Sequence, residues 1–134
     1  GRRHLRHGLN RDLGFSEADR DENIRRAAEV ARLFVDAGII VIAAFISQLR
    51  RQREAASALF APGEFLEVFV DAPLAVVEAR DPKGLYQKAR SGQLPGFTGV
   101  SAPYEPPLAA ELTLPTHEWP LERCVAQLLA VLEG

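Results

Sequence analysis

A chain of 134 residues, 47% hydrophobic and 25% charged, has the make-up of one ordinary globular domain and is long enough to bury a core. Its formal charge of −2 supplies no overall pull toward nucleic acid or an anionic membrane surface. No apolar run nears the roughly 20 residues of a membrane span, and the first one, residues 38–46, lies too far in for a signal peptide.

The opening stretch, "GRRHLRHGLN", is basic and unpatterned. Ser16 reads as an N-cap with Asp19 three residues on, a weak capping box. From there to Ala37, Ile24, Ala27, Ala28, Ala31, Phe34 and Val35 recur at helical spacing, and Gly38 ends the helix. "IIVIAAFI", residues 39–46, is almost continuously apolar and predicts a strand covered on both faces, as in a parallel sheet. A charged helix over 48–60 follows, stopped by Pro62-Gly63, and residues 65–71 predict a second strand. Pro73 suits the first turn of a helix over 73–80, and a short helix over 83–91 closes at Gly92. A weaker strand is expected over 111–114. Pro120 opens a last helix in which Leu121, Val125, Leu128, Leu129 and Leu132 mark one face. Strands alternating with helices mean an α/β fold with a parallel sheet.

Cys124 is the single cysteine, so no internal disulfide can form. A reducing cytoplasm is the expected setting, and a buried structural thiol the expected role. The chain holds no methionine and starts on glycine, as expected of a processed chain or of part of a longer one.

In open α/β sheets ligands bind beyond the carboxyl ends of the strands. Three segments fall there: the residues after 39–46, "VDAPL" at 70–74, and the stretch 80–99, "RDPKGLYQKARSGQLPGFTG". The last sets the cations Arg80, Lys83, Lys88 and Arg90 against the single acid Asp81, with Tyr86 and Phe97 among them. Ahead of the first long helix stand Arg6, Asn10, Phe15, Arg20 and Asn23. Such residues offer aromatic faces for a base and guanidinium forks for phosphate or sulfate. From composition alone a solvated basic loop is the commoner reading.

"LRHGLNRDLGFSEADRDENIRR", "FIS", "VDAPLAVVEARDPKGLYQKARSG" and "FTGVSAPYEPP" occur in register from Leu5 to Pro107, and together they resemble the adenylylsulfate kinase family. The resemblance implies a three-layer α/β/α domain over 1–134 with a parallel sheet, P-loop kinase-like and N-terminally incomplete. It implies transfer of the ATP γ-phosphate to the 3′-hydroxyl of adenosine 5′-phosphosulfate, with Mg2+ accompanying ATP. It also implies a homodimer and association or fusion with ATP sulfurylase, in the cytoplasm, without nucleic acid or membrane. Residue by residue, Arg6, Arg20 and Asn23 would hold the phosphosulfate and ribose, with Asn10 beside them. Phe15 and Phe97 would clamp the adenine, flanked by Ile46, Ser47, Thr98 and Gly99. Ser47 and Lys83 would be the catalytic pair, Ser47 as a substrate contact rather than a phosphoserine. Arg80, Lys83, Lys88 and Arg90 would belong to a lid over the ATP phosphates, excluding water and adding positive charge.

Other residues carry plainer expectations. Phe15 could instead be a core aromatic, Arg25 and Arg26 should face solvent, and His7 should be structural. Asp71 should cap the helix after it rather than reach a metal, and Tyr104 could pack against the base of the lid or touch a ligand. No metal-ligand set is visible.

The 134 residues contain no G-x-x-x-x-G-K-[ST] phosphate loop. Where the family has Asp-Gly-Asp-Asn, this chain reads Gly1-Arg2-Arg3-His4, and arginine neither accepts a proton nor binds magnesium. Besides a kinase body, the chain therefore reads as a non-catalytic piece that binds the acceptor nucleotide or offers a dimer or partner surface. The resemblance further puts the strand leading into the phosphate loop between the runs 39–46 and 65–71. Without it, those runs should be left facing a vacancy or should close up and pair directly.

Overall fold

The computed structural model describes residues 2–98 and 103–134. They belong to two compact units, Gly1–Phe65 and Leu66–Gly134.

In the first unit, α1 (Arg2–His7) is a helix that the sequence does not announce, because Leu5 is its only apolar residue and no periodicity can show. Its last turn carries His4, Arg6 and His7, cations suited to the negative end of the helix dipole. The amides of Gly8 and Asn10 close it by donating to the carbonyls of His4 (2.9 Å) and Leu5 (2.7 Å). The 20-residue α2 (Glu17–Asp36) is capped by Ser16, whose hydroxyl accepts from the Asp19 amide at 3.1 Å. Asp19 does not complete a reciprocal box: its carboxylate accepts from the Gly14 amide at 2.8 Å, two residues before the cap. At the far end Gly38 takes φ +82. The Gly38 amide donates to the Val35 carbonyl and the Ile39 amide to that of Phe34, at 2.9 and 3.0 Å. That is a Schellman stop, and it needs a residue free of a Cβ penalty at 38.

Residues 39–46 then run without a strand ladder. Ile40 and Ile42 are 71% and 76% exposed. This corrects the expected two-sided buried strand. Apolar, β-branched composition favours a pleated backbone only where a neighbour completes its hydrogen bonds, and among the described residues nothing pairs with this run. α3 (Arg50–Ser57) follows, shorter than the 48–60 expected. Past it, residues 61–64 turn back: the Glu64 amide reaches the Ala61 carbonyl at 3.0 Å. Pro62 stands at the second position and Gly63, φ +86, at the third, the arrangement of a type II turn. The Phe60 and Phe65 rings meet across it with centroids 5.5 Å apart.

The second unit is built on a two-stranded parallel sheet, β1 (Val68–Asp71) and β2 (Leu112–Pro115). Its register sets Val68 against Leu112, Phe69 against Thr113, Val70 against Leu114 and Asp71 against Pro115. Both runs expected as strands at 65–71 and 111–114 are therefore strands, and they pair with each other. Proline ends β2, where the ladder no longer needs its missing donor. The ladder is extended past that point because the Thr116 amide donates to the Asp71 carbonyl at 2.9 Å. Between the strands lie α4 (Leu74–Arg80) and α5 (Leu85–Arg90), and after them α6 (Leu121–Glu133). On α6 the buried residue is Cys124, as expected, with Leu128 and Val131 half-buried at i+4 and i+7. Leu121, Val125, Leu129 and Leu132, expected to mark the packed face, are exposed. The helix is apolar nearly all round, so spacing alone does not choose the face.

The apolar core of the described chain is thin: Ala28, Ala89, Leu114 and Cys124 are its buried hydrophobic residues. In the first unit the buried side chains are mostly amides, Asn10, Asn23, Gln48 and Gln52, and each must be satisfied by hydrogen bonds.

Candidate functional site

Of the residues expected to hold an acceptor nucleotide, Arg6, Asn10, Phe15, Arg20, Asn23, Ile46 and Ser47 lie in the first unit, and Phe97 and Thr98 in the second. Phe15 is 68% exposed, so it is no core aromatic. The Arg6 guanidinium lies over its ring, 4.3 Å from the centroid, and donates to the Gly14 carbonyl at 3.0 Å. A cation and an aromatic face thus stand together, the pairing suited to an anionic nucleotide.

Asn10 and Asn23 sit differently from the expectation of direct contact. Asn10 is fully buried, and its amide donates to the Asn23 side-chain oxygen at 2.9 Å and the Asn23 carbonyl at 3.3 Å. A buried amide bonded to another is a brace between loop and helix rather than a surface for a ligand. The Asn10 side-chain oxygen is buried without a hydrogen-bond partner.

Arg20 points to the segment after 39–46. It donates to Gln48 Oε1 at 2.6 Å. Ser47 has φ +42, a conformation that is rare and costly for a non-glycine residue and tends to mark functional backbone. The turn is held on both sides, because Arg53 donates to the Ser47 carbonyl at 2.5 Å while buried Gln48 meets Arg20. Ile46, just before it, is half exposed. α3 is tied to α2 by Arg51, which reaches Asp21 at 2.7 Å and Glu17 at 2.5 Å, and by Gln52, which donates to Asp21 at 2.6 Å.

Arg26 does not face solvent as expected. It is 27% exposed, forks onto Asp12 at 2.8 and 3.1 Å, meets Glu22 at 3.0 Å and reaches the Leu9 carbonyl at 3.3 Å. Arg25 matches the expectation better: it is exposed and bonds Glu22 on its own helix turn. Hydrogen bonds from Arg25 and then Arg26 draw the Glu22 carboxyl down to about 2. The Arg26 fork likewise holds Asp12 below its ordinary range.

The second unit carries the basic segment. Lys83 and Lys88 are exposed, and their ammonium groups make no ion pair among the described residues. The other two cations are engaged within the unit. Arg80 donates to the Thr116 carbonyl at 3.1 Å, and Arg90 pairs with Glu78 at 2.5 Å. Asp81 accepts from the amides of Tyr86 (3.2 Å) and Gln87 (3.3 Å), capping α5 from outside it. Phe97 is half-buried and meets Tyr86 edge to face at 5.0 Å. Thr98 is half-buried. Gly99 lies outside the described residues. Tyr104 stacks on Phe69 at 6.3 Å, so it packs on β1 rather than standing free for a ligand. Asp71 makes no side-chain cap to α4, which begins behind Pro73 without one.

Sequence reasoning missed Asp12, Asp19 and Arg26 as holders of the loop, and Gln48 and Arg53 as holders of Ser47. One signal was available: Asp19, Asn23 and Arg26, spaced by four and three, are a polar stripe on one face of a helix. No group of three or more His, Cys, Asp or Glu side chains among the described residues could hold a metal ion.

Residues 2–115 match the family described as adenylylsulphate kinase. The chain belongs to the adenylylsulfate kinase family. It is 58% identical over 129 residues to the adenylyl-sulfate kinase of Geotalea uraniireducens, covering 96% of this chain and 62% of that protein. To that of Geotalea daltonii it is 68% identical over 112 residues, 84% of this chain and 55% of the relative. The chain thus spans about six-tenths of the length of these curated family members. Among solved structures it resembles the Mycobacterium tuberculosis APS kinase in complex with AMPPNP and APS. The TM-score is 0.94 at 44% identity, over 99% of this chain and 78% of that one. The fold is therefore the P-loop kinase-like α/β fold of adenylylsulfate kinases, in agreement with the sequence reading. No helix among the described residues is long and apolar enough to cross a membrane.

Proposed function

We propose that the chain serves the adenylylsulfate kinase reaction, transfer of the ATP γ-phosphate to the 3′-hydroxyl of adenosine 5′-phosphosulfate, as part of sulfate assimilation. The observation that carries this reading is the likeness, at 44% identity and TM-score 0.94, to an APS kinase in complex with AMPPNP and APS. In this reading Arg6 and Arg20 hold the anionic groups of the acceptor, and Phe15 offers its open face to the adenine. Asn10 and Asn23 set the backbone that carries them. The turn at Ser47, with Ile46 beside it, lines the acceptor as a backbone contact. Direct in-line transfer needs no phosphoserine there. The resemblance gives Lys83 and Lys88 the role of adding positive charge near the transferring phosphates, with Arg80 and Arg90 in the same segment, and gives Phe97, Thr98 and Gly99 the role of acceptor contacts. Magnesium arrives on ATP. The protein works in the cytoplasm, as a homodimer that associates with or is fused to ATP sulfurylase in some settings.

A second reading is favoured by one specific feature. Within these 134 residues there is no phosphate loop, so this stretch binds the acceptor nucleotide without catalysing transfer unless such a loop is supplied. Calorimetry separates the two. Adenosine 5′-phosphosulfate should bind the chain more tightly than ATP, and Arg20→Ala should weaken it by about 1.5–3 kcal/mol, the scale of a charge-assisted hydrogen bond. Tight ATP binding with no acceptor binding would overturn both readings.

A further inference from the structure

The loop between α1 and α2 carries Phe15 at its end and is shaped by turns over residues 8–12 rather than by a helix or strand. Three side chains on one face of α2 hold it. Asp19 accepts from the Gly14 amide at 2.8 Å, Asn23 accepts from buried Asn10 at 2.9 Å, and Arg26 forks onto Asp12 at 2.8 and 3.1 Å. Their spacing, four and then three residues, brings successive turns of the helix under successive parts of the loop. Of the three, Arg26 has the widest reach. It also takes the Leu9 carbonyl at 3.3 Å, so it touches the loop on both sides of Asn10. Its guanidinium is held in turn by Glu22 at 3.0 Å. A bidentate arginine–carboxylate pair fixes orientation as well as distance; here the Arg26 side chain is 27% exposed and Asp12 58% exposed.

We infer that Arg26 is a positioning residue: by clasping Asp12 and the Leu9 carbonyl it holds the loop so that Arg6 and Phe15 stay set for an anionic nucleotide that Arg26 does not touch. The ligand part of this inference rests on the acceptor reading above. The clasp itself rests on the geometry of the loop alone. It also gives Arg26 and Arg25, neighbours in sequence, opposite importance. Arg25 is exposed and bonded to Glu22 within its own helix, where such pairs matter little.

The test uses the 134-residue chain and four variants: Arg26→Gln, Arg26→Lys, Asp12→Asn and Arg25→Gln. Two quantities are read: hydrogen exchange at the Leu13 amide, which bonds Asn10 within the loop, and at the Gly14 amide, which bonds Asp19 on α2, and calorimetric affinity for adenosine 5′-phosphosulfate. Arg26→Gln should speed exchange at both amides and weaken the acceptor, each by about tenfold, through lost pre-organisation. Asp12→Asn should do much the same, and adding it to Arg26→Gln should cost little more, because the two residues act as one pair. Arg26→Lys, which keeps charge but not the fork, should recover part of the affinity. Arg25→Gln should leave both readouts within about twofold.

Unchanged exchange in Arg26→Gln overturns the clasp. Faster exchange with unchanged acceptor affinity, in a chain whose affinity falls on Phe15→Ala, overturns the positioning role. A chain that binds no acceptor, yet exchanges faster on Arg26→Gln, sinks the acceptor reading and leaves the clasp standing.

Discussion

The two compact units are held together by different chemistry. In Leu66–Gly134 a parallel ladder joins β1 to β2, and what is buried is apolar: Ala89, Leu114 and Cys124. In Gly1–Phe65 the described residues form no sheet, and Ala28 is the only buried hydrophobic residue beside Asn10, Asn23, Gln48 and Gln52. Its segments are joined by side-chain hydrogen bonds and ion pairs, at Asp12, Asp19, Asp21 and Glu22 above all. A ladder depends on backbone geometry and tolerates acid. A mesh of carboxylates and guanidinium groups depends on charge and does not.

Several outcomes would break or sharpen that contrast. The largest effect should come from the apolar side. Leu114→Ala removes a buried side chain from β2 and should cost about 2–5 kcal/mol in urea denaturation. A cost under about 1 kcal/mol would mean that the apolar contacts of this unit matter less than its ladder. Next comes the polar side: Asn23→Ala takes away the best partner of buried Asn10 and should cost about 1–3 kcal/mol, the penalty for a buried amide left poorly bonded. If the loss is negligible, the amide braces are ornaments on a unit held some other way.

Acid should then separate the units. Glu22 is held down to about 2 from 4.5 by Arg25 and Arg26, so it binds its proton more readily unfolded than folded. Its contribution is complete above pH 4.5 and is lost as pH falls toward 2. The urea midpoint of Glu22→Gln should therefore fall less steeply than that of the parent over this window. Parallel slopes would show the carboxylate to be uninvolved. Smallest of all should be Ile42→Ser. The side chain is 76% exposed, and stability should move by less than about 0.5 kcal/mol. A loss as large as that of Leu114→Ala would reveal that the run 39–46 is packed after all. Hydrogen exchange gives an independent view: amides in 68–71 and 112–114 should be protected, those in 40–46 hardly at all.

The residues that told their own story were those whose structure is set locally. The Ser16 cap, the Gly38 stop, the Pro62-Gly63 turn and the proline before α6 are visible in the sequence because each is a property of a few adjacent residues. β1 and β2 were legible as strands within a few residues, and the parallel sense of the sheet followed from the alternation with helices, but that these two strands pair with each other did not. The run 39–46 was not, because "IIVIAAFI" states an appetite for burial without naming a neighbour. α6 shows the same limit: its exposed Leu121 and its buried Cys124 both fit an apolar helix, and only contacts decide which faces inward. At the site, the exposed aromatic and its arginine were legible from the family's motifs. The burial of Asn10 and the grip of Arg26 were not, since both are contacts across 13 or 14 residues of chain that no local pattern encodes.

Buried Cys124 has one more consequence. It is the only thiol in the chain, and thiol reagents attack only the accessible thiolate. A chromogenic disulfide added to the intact protein should therefore react only when α6 lifts from β2, at a rate set by that opening and, at saturating reagent, by the opening alone. The native sequence already contains a stopwatch for that opening, and the Leu114→Ala variant should make it run faster.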